Sequence, residues 1–285
     1  MSTLPALPKL YRPTDEEIDR AEAEEPFRGT TIEDWCPTCG GDKKFLWYAR
    51  EDLHRPHRER HIETYECPCA DQFRLWRLFY CTGLKGGRYG QLNWGDVVWV
   101  PMDSFTFVKD YIDKATRYQR RGIGLFLQGN NGTGKSMLAS LVFRHFLGLG
   151  HFGYWVTYHD MLTMYTATWN RRQDTQEWFD TAVRNADVLV VDDLGKESQN
   201  QTFQEISRSA LDGVFRARWM ARRPTIFTTN LDPAEIGRRY SGSMLSLMGE
   251  ACLHRRLSGE DRRPDSRQID EYEIEQDLTR PFTLR

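Results

Sequence analysis

Residues 124–140 read GLFLQGNNGTGKSMLAS. An apolar run stops at Gly129, small, polar or basic residues follow as far as Ser136, and an apolar helical pattern resumes at Met137. The segment Gly129–Ser136 fits the pattern G-x-x-x-x-G-K-[ST] in full. Glycines let the main chain curl so that successive N–H groups point inward, and a helix starting near Gly134 turns its positive end to the same place. The expected object is a phosphate cradle made of Gly129, Asn130, Asn131, Gly132, Thr133, Gly134, Lys135 and Ser136. Lys135 would meet the β- and γ-phosphates of ATP, and the Ser136 hydroxyl would serve Mg²⁺, which favours oxygen ligands.

Such a cradle needs a strand before it and a helix after it, and the chain continues in that rhythm. GLFLQG reads as a buried strand and KSMLASLVFRHFLGLG as a helix. FGYWVTY, DVLVVDD and PTIFTTN are further apolar strands, with helical patterns between them. Continuous apolar strands alternating with helices predict an α/β domain whose parallel sheet is covered on both faces. Before it, SFTFVKDYIDKATRYQRRG suits one amphipathic helix with Phe107, Tyr111 and Ala115 inward, ended by Gly122 and Gly124.

Ligands of parallel sheets lie beyond the carboxyl ends of the strands. That makes Asp192 and Asp193, at the end of DVLVVDD, the expected acidic counterpart of the cradle. Asp192 would hold Mg²⁺ through water, and Asp193 would polarise the attacking water. Asn230, closing the PTIFTTN strand, would hydrogen-bond the γ-phosphate or that water; the alternative is a simple turn.

The strings GNNGTGKS, LVVDDLGKES and PTIFTTNLDPAEI, in this order, resemble the AAA+ ATPases of the DnaC and DnaI helicase-loader group, to which the transposition ATPase IstB also belongs. The resemblance runs over roughly residues 100–260. It implies a core sheet of order 5-1-4-3-2, an oligomer with ATP between subunits, and an arginine reaching in from the neighbour. GEACLHRRLSG looks like the group's SRL segment, which makes Arg256 the candidate and Arg255 its rival. Two departures stand out. Several relatives carry Glu where this chain has Asp193, and the sequence after residue 260 offers no helical lid to carry a further nucleotide-sensing arginine.

The amino-terminal third has a different texture. Cys36-Pro-Thr-Cys39 and Cys67-Pro-Cys69 are paired thiols of the kind that close a tetrahedral zinc site, with His54, His57 and His61 as rival ligands. Zinc would hold together a region too small for a deep apolar core. Cys81 and Cys252 read as ordinary semi-buried residues. The expected organisation is a polar segment over 1–30, a zinc-binding domain over 31–95, a linker helix over 96–123, an AAA+ ATPase domain over 124–260 and a charged tail over 261–285.

Composition adds limits. The 285 residues carry a formal charge of −2, so nucleic-acid binding must come from local patches. No apolar run approaches the roughly 20 residues of a membrane span, and the opening MSTLPALPKLYRPTDEE lacks a signal-peptide pattern, so a cytoplasmic location is expected. The resemblance implies a replicative helicase gripped by the amino-terminal region, with single-stranded DNA as the second partner. Arg171, Arg172, Arg238 and Arg239 are candidate DNA contacts. Trp47, Tyr48, Arg50, Arg58 and Arg60 would equally suit nucleic acid or a small core with a solvated face. The alternatives are an IstB-like partner of a transposase, or an adaptor that holds ATP with little turnover.

Overall fold

The computed structural model describes residues 44–48, 62–66, 82–84, 89, 92, 94–97, 99–170, 173–197, 201–263, 267, 271, 274 and 275. The chain divides into two compact units, Met1–Arg77 and Leu78–Arg285. In the first, strands β1 (Lys44–Tyr48) and β2 (Ile62–Glu66) form an antiparallel pair with Lys44 opposite Glu66 and Tyr48 opposite Ile62. Cys36, Cys39, Cys67, Cys69, Cys81 and the three candidate histidines lie outside the described residues, as do Arg50, Arg58, Arg60, Arg171 and Arg172.

The second unit is built on a five-stranded parallel sheet. Its strands are β3 (Gly124–Gly129), β4 (Gly153–Thr157), β5 (Val188–Leu194), β6 (Thr225–Thr229) and β7 (Cys252–Leu257), in the order β4-β5-β6-β3-β7. The alternation of side chains along each strand explains the layers. Leu125, Leu127, Val188, Val190 and Ile226 face one apolar cluster. Phe126, Leu189, Val191 and Phe227, their immediate neighbours, face the other. Both sets are buried, so both faces are covered, as the unbroken apolar runs require.

Helices α1 (Met102–Asp113), α2 (Ala115–Arg121) and α3 (Lys135–Gly148) belong to the first face. Helices α4 (Tyr158–Ala167), α5 (Gln173–Phe179), α6 (Gln201–Met220), α7 (Pro233–Tyr240) and α8 (Gly242–Ala251) serve the second. Local chemistry sets several boundaries. The Thr157 hydroxyl caps α4 by accepting from Asp160 N–H at 3.1 Å. Asp232 and Glu235 form a reciprocal capping box on α7, with Pro233 at its first turn.

The expected single helix over 104–122 is two helices that break at Lys114. Tyr111 and Ala115 are buried as expected, with Ser104, Val108 and Ile112 beside them, and Phe107 packs half-buried against the same cluster. Gly122 ends α2 in the left-handed conformation at φ 72°. These residues share an apolar cluster with β3 and α3, so the 96–123 segment is packed into the second unit. The segment holding Arg255 and Arg256 is the edge strand β7, whose Leu257 pairs with Gly129.

Candidate nucleotide site

β3 ends at Gly129 and α3 starts at Lys135, so the glycine-rich loop spans the carboxyl end of the sheet. Gly132 and Gly134 adopt φ of 71° and 87°, where a side chain is strained. A Cβ on Gly134 would also come within 3.0 Å of Trp99 and Val100. The Thr133 hydroxyl donates to the Asn130 carbonyl at 2.9 Å, and Lys135 Nζ donates to the same oxygen at 2.6 Å. Burial pushes the Lys135 ammonium down to about 8, against the opposing pull of Asp193.

The acidic side is shaped by a bulge. β5 pairs with β6 as Val191 opposite Phe227 and then Leu194 opposite Thr229, so Asp192 and Asp193 together face Thr228. Asp193 takes φ 59° there, an uncommon conformation for a residue with a side chain. Thr228 supports both: its hydroxyl donates to Asp192 Oδ1 and accepts from the Asp193 N–H at 3.0 Å. Asp192 Oδ1 also accepts from the Ser136 hydroxyl at 2.8 Å. Burial raises the Asp192 carboxyl, while the Thr228 and Ser136 hydrogen bonds draw it back down. Ser136 and Asp192, both oxygen donors, are therefore in direct contact.

The structure adds residues that the sequence pattern did not single out. One hollow is lined by Lys135, Ser136 and Asp193 together with Tyr89, Trp99, Arg262 and Arg263. Burial raises the Tyr89 phenol there. Arg144 of α3, buried at 3% exposure, donates to the carbonyls of Tyr89 and Leu92 and so fixes that segment beside the loop. Lys196 lies 2.8 Å from Asp193 Oδ2. The residues after Leu257 emerge next to the loop: Arg262 N–H donates to the Gly132 carbonyl at 3.2 Å, and a Cβ on Gly132 would collide with Asp261. The sequence after residue 260 offered no clear helical lid for a further arginine; the first residues of the tail line this hollow with Arg262 and Arg263, because β7 runs parallel to β3 and ends beside Gly129.

The three candidate catalytic residues do not converge in one hollow. Asp193 shares the first with Lys135, whereas Asn230 and Arg256 line a second, with Gly129, Asn130, Asp232 and Glu235. Asn230 links the two through a 2.7 Å hydrogen bond from Nδ2 to Asn131 Oδ1, and its own buried Oδ1 has no partner among the described residues. Arg256 is exposed, without an ion pair or hydrogen bond among the described residues. Arg255 points the other way and is bound to Asp103 and Ser104 of α1. Arg239 is occupied in part by the Gly195 carbonyl at 2.8 Å, while Arg238 is exposed. Among the described residues, no cluster of three or more His, Cys, Asp or Glu could hold a metal ion, and no helix is long and apolar enough to cross a membrane.

Numbered from the loop-bearing strand along the chain, the sheet reads 2-3-4-1-5, the expected 5-1-4-3-2 seen from its other edge. That is the strand order which the resemblance to AAA+ ATPases implies. No protein-family model matches the chain, and no curated protein matches it either. Among solved structures, the DnaC helicase loader is similar at 22% identity and TM-score 0.48, over 55% of this chain and 89% of that one. DnaI is similar at 20% identity and TM-score 0.41, over 53% of this chain and 83% of that one. The replication initiator DnaA, bound to AMPPCP and single-stranded DNA, is similar at 16% identity and TM-score 0.48, over 63% of this chain and 53% of that one.

Proposed function

We propose that the chain is an ATPase that works as an oligomer to deliver a replicative helicase to single-stranded DNA. One observation carries the nucleotide part of this reading. Lys135, in a loop with Gly132 and Gly134 at positive φ, shares a hollow with Asp193 of an acidic bulge in which Asp192 already contacts Ser136. ATP would supply the phosphoanhydride to be broken, and Mg²⁺ the charge that neutralises its oxygens.

The chain's own groups take the remaining roles. Main-chain N–H groups of residues 129–136 and the Lys135 ammonium hold the phosphates. Ser136 and Asp192 hold the metal. Asp193 orients water for in-line attack and takes up its proton. Asn230, tied to the loop through Asn131, sits where a change at the γ-phosphate is felt by β6. Arg256, exposed at the sheet edge, is available to a neighbouring subunit's phosphate, where a guanidinium supplied in trans is worth ~10³–10⁵ in rate.

The amino-terminal unit would bind zinc through Cys36, Cys39, Cys67 and Cys69 and grip the helicase. The β1–β2 ladder supports that pairing: Lys44 lies opposite Glu66, Cys67 directly follows Glu66, and Cys39 stands five residues before Lys44. Both cysteine pairs thus attach to the same end of the hairpin.

The test is steady-state ATP turnover by the full chain, with nucleotide binding measured alongside. Asp193→Asn is expected to bind ATP normally and to lose about 10²–10⁴ in turnover, the usual worth of a positioned acid or base. Unchanged turnover in that variant would sink the catalytic assignment. The same preparation is expected to contain one zinc per chain by atomic absorption. Zinc retained in full after Cys36→Ser and Cys67→Ser together would refute the zinc site.

A further inference from the structure

The phosphate loop occupies the carboxyl end of the sheet; the opposite end carries a second charged surface. β3 begins at Gly124 and β6 at Thr225, directly after two turns, one at Gly122 and one at Arg222. These turns touch through their main chains: a Cβ on Gly122 would lie 2.6 Å from the Arg222 Cα. Arg222 holds the left-handed conformation at φ 53°, a strained choice for a long side chain. The packing brings the end of α2 and the turn after α6 to one place.

What they bring is basic. Residues 114–123, KATRYQRRGI, contain Lys114, Arg117, Arg120 and Arg121 and no acid. Residues 216–224, RARWMARRP, contain four arginines and no acid. Three of those four are engaged: Arg216 with Asp212, Arg218 deep in the core, and Arg223. Arg223 donates to Asn185 and to the Arg184 carbonyl. Lys114, Arg117, Arg120, Arg121 and Arg222 are exposed, and their side chains have no ion pair or hydrogen bond among the described residues. The nearest acids on the preceding helix are Asp110 and Asp113, both exposed. Lys114, Arg117, Arg120 and Arg121 line one hollow, floored by Tyr118, whose ring stacks on Tyr111 at 4.8 Å.

We infer that this surface binds the phosphate backbone of a nucleic acid. Five cations in two apposed turns repel one another unless a polyanion covers them, and four of the five are arginines, whose planar forks match phosphate oxygens. Arg117, Arg120 and Arg121 lie on α2 with Lys114 just before its first turn, spread over about 10 Å at about 1.5 Å per residue, a length that meets successive phosphates rather than one small anion. The six residues of β3, at about 3.3 Å each, set this surface roughly 20 Å from the phosphate loop, so it is distinct from the nucleotide site and independent of turnover there.

The experiment measures binding of the nucleotide-free full chain to fluorescent 30-nucleotide single-stranded and 30-base-pair duplex DNA by anisotropy, over a series of salt concentrations. For the variant Arg117→Gln/Arg120→Gln/Arg121→Gln, the slope of log K against log salt is expected to shrink by about 2–3, from about 0.7–0.9 per lost phosphate contact. Loss on one DNA alone identifies the form bound. The triple Arg→Lys variant is expected to keep the slope, and Arg222→Gln alone to lose about one unit of it. These two read out correctly even if the triple glutamine variant folds poorly. An unchanged slope on both DNAs overturns the inference. So does a wild-type chain that binds poly-glutamate and neither DNA, which would assign the surface to an acidic protein partner.

Discussion

The two ends of the parallel sheet treat their charges in opposite ways. At the carboxyl end the lysine of the loop and the two aspartates opposite it already have internal partners: Lys135 the Asn130 carbonyl, Asp192 the Ser136 and Thr228 hydroxyls, Asp193 the Lys196 ammonium. At the amino end, one arginine is swallowed and its neighbour four residues on is left outside. Arg218 is fully buried, donating to the carbonyls of Val183, Arg184, Ala186 and Pro224 and to the Thr225 hydroxyl. Arg222 has no such acceptors among the described residues. Preorganised partners suit a small, highly charged ligand that must be held in one geometry. Unpartnered cations suit a long, screened polyanion.

The largest way to break this contrast lies in Arg218. Arg218→Ala removes five hydrogen bonds and leaves buried carbonyls unpaired, and is expected to cost about 3–5 kcal/mol. Thermal unfolding followed by circular dichroism should show the melting point lower by about 10 °C. A change under 1 kcal/mol would mean that the buried fork is not what joins α6 to the starts of β5 and β6. Next comes Thr228→Val at the other end. The swap keeps the shape and deletes the one hydroxyl shared by Asp192 and Asp193. Turnover is expected to fall about 10–100-fold, at a positioning residue rather than one that touches the reacting atoms. Its distinguishing mark is a raised magnesium requirement with ATP-binding stability little changed; equal losses at all magnesium concentrations would make Thr228 merely structural. The smallest effect is Arg222→Ala, expected to alter unfolding free energy by no more than about 0.5 kcal/mol, as exposed substitutions do.

The parts that sequence made legible are those written in consecutive residues. The phosphate loop, the apolar strand before it and the double aspartate are each a short local pattern, and all fall where the pattern put them. The sheet order came with the family resemblance to GNNGTGKS, LVVDDLGKES and PTIFTTNLDPAEI, and the strand pairing agrees with it. What stayed hidden depends on pairing between distant segments. Nothing in CLHRRL marks it as a strand on the edge beside β3, since its two arginines interrupt the apolar run. Thr228 looks like any β-branched strand residue until the bulge opposite it is known. Arg218 looks like one basic residue among several at a helix end; only the meeting of two carbonyl-bearing segments around it, 183–186 and the one at Pro224, explains its burial. Lys196 and Arg263 gain meaning only once the sheet has brought them to the loop.

One feature of the edge strand reaches further than its position suggests. Leu257 is locked opposite Gly129, and Asp261 rests on Gly132, where no side chain fits. The stretch Ser258-Gly259-Glu260 between them therefore works as a spacer of set length, like a link cut to fit. Inserting a single residue there would leave the strand and the loop each intact yet out of step, so the chain's last third sets a dimension of a pocket built mainly from its middle.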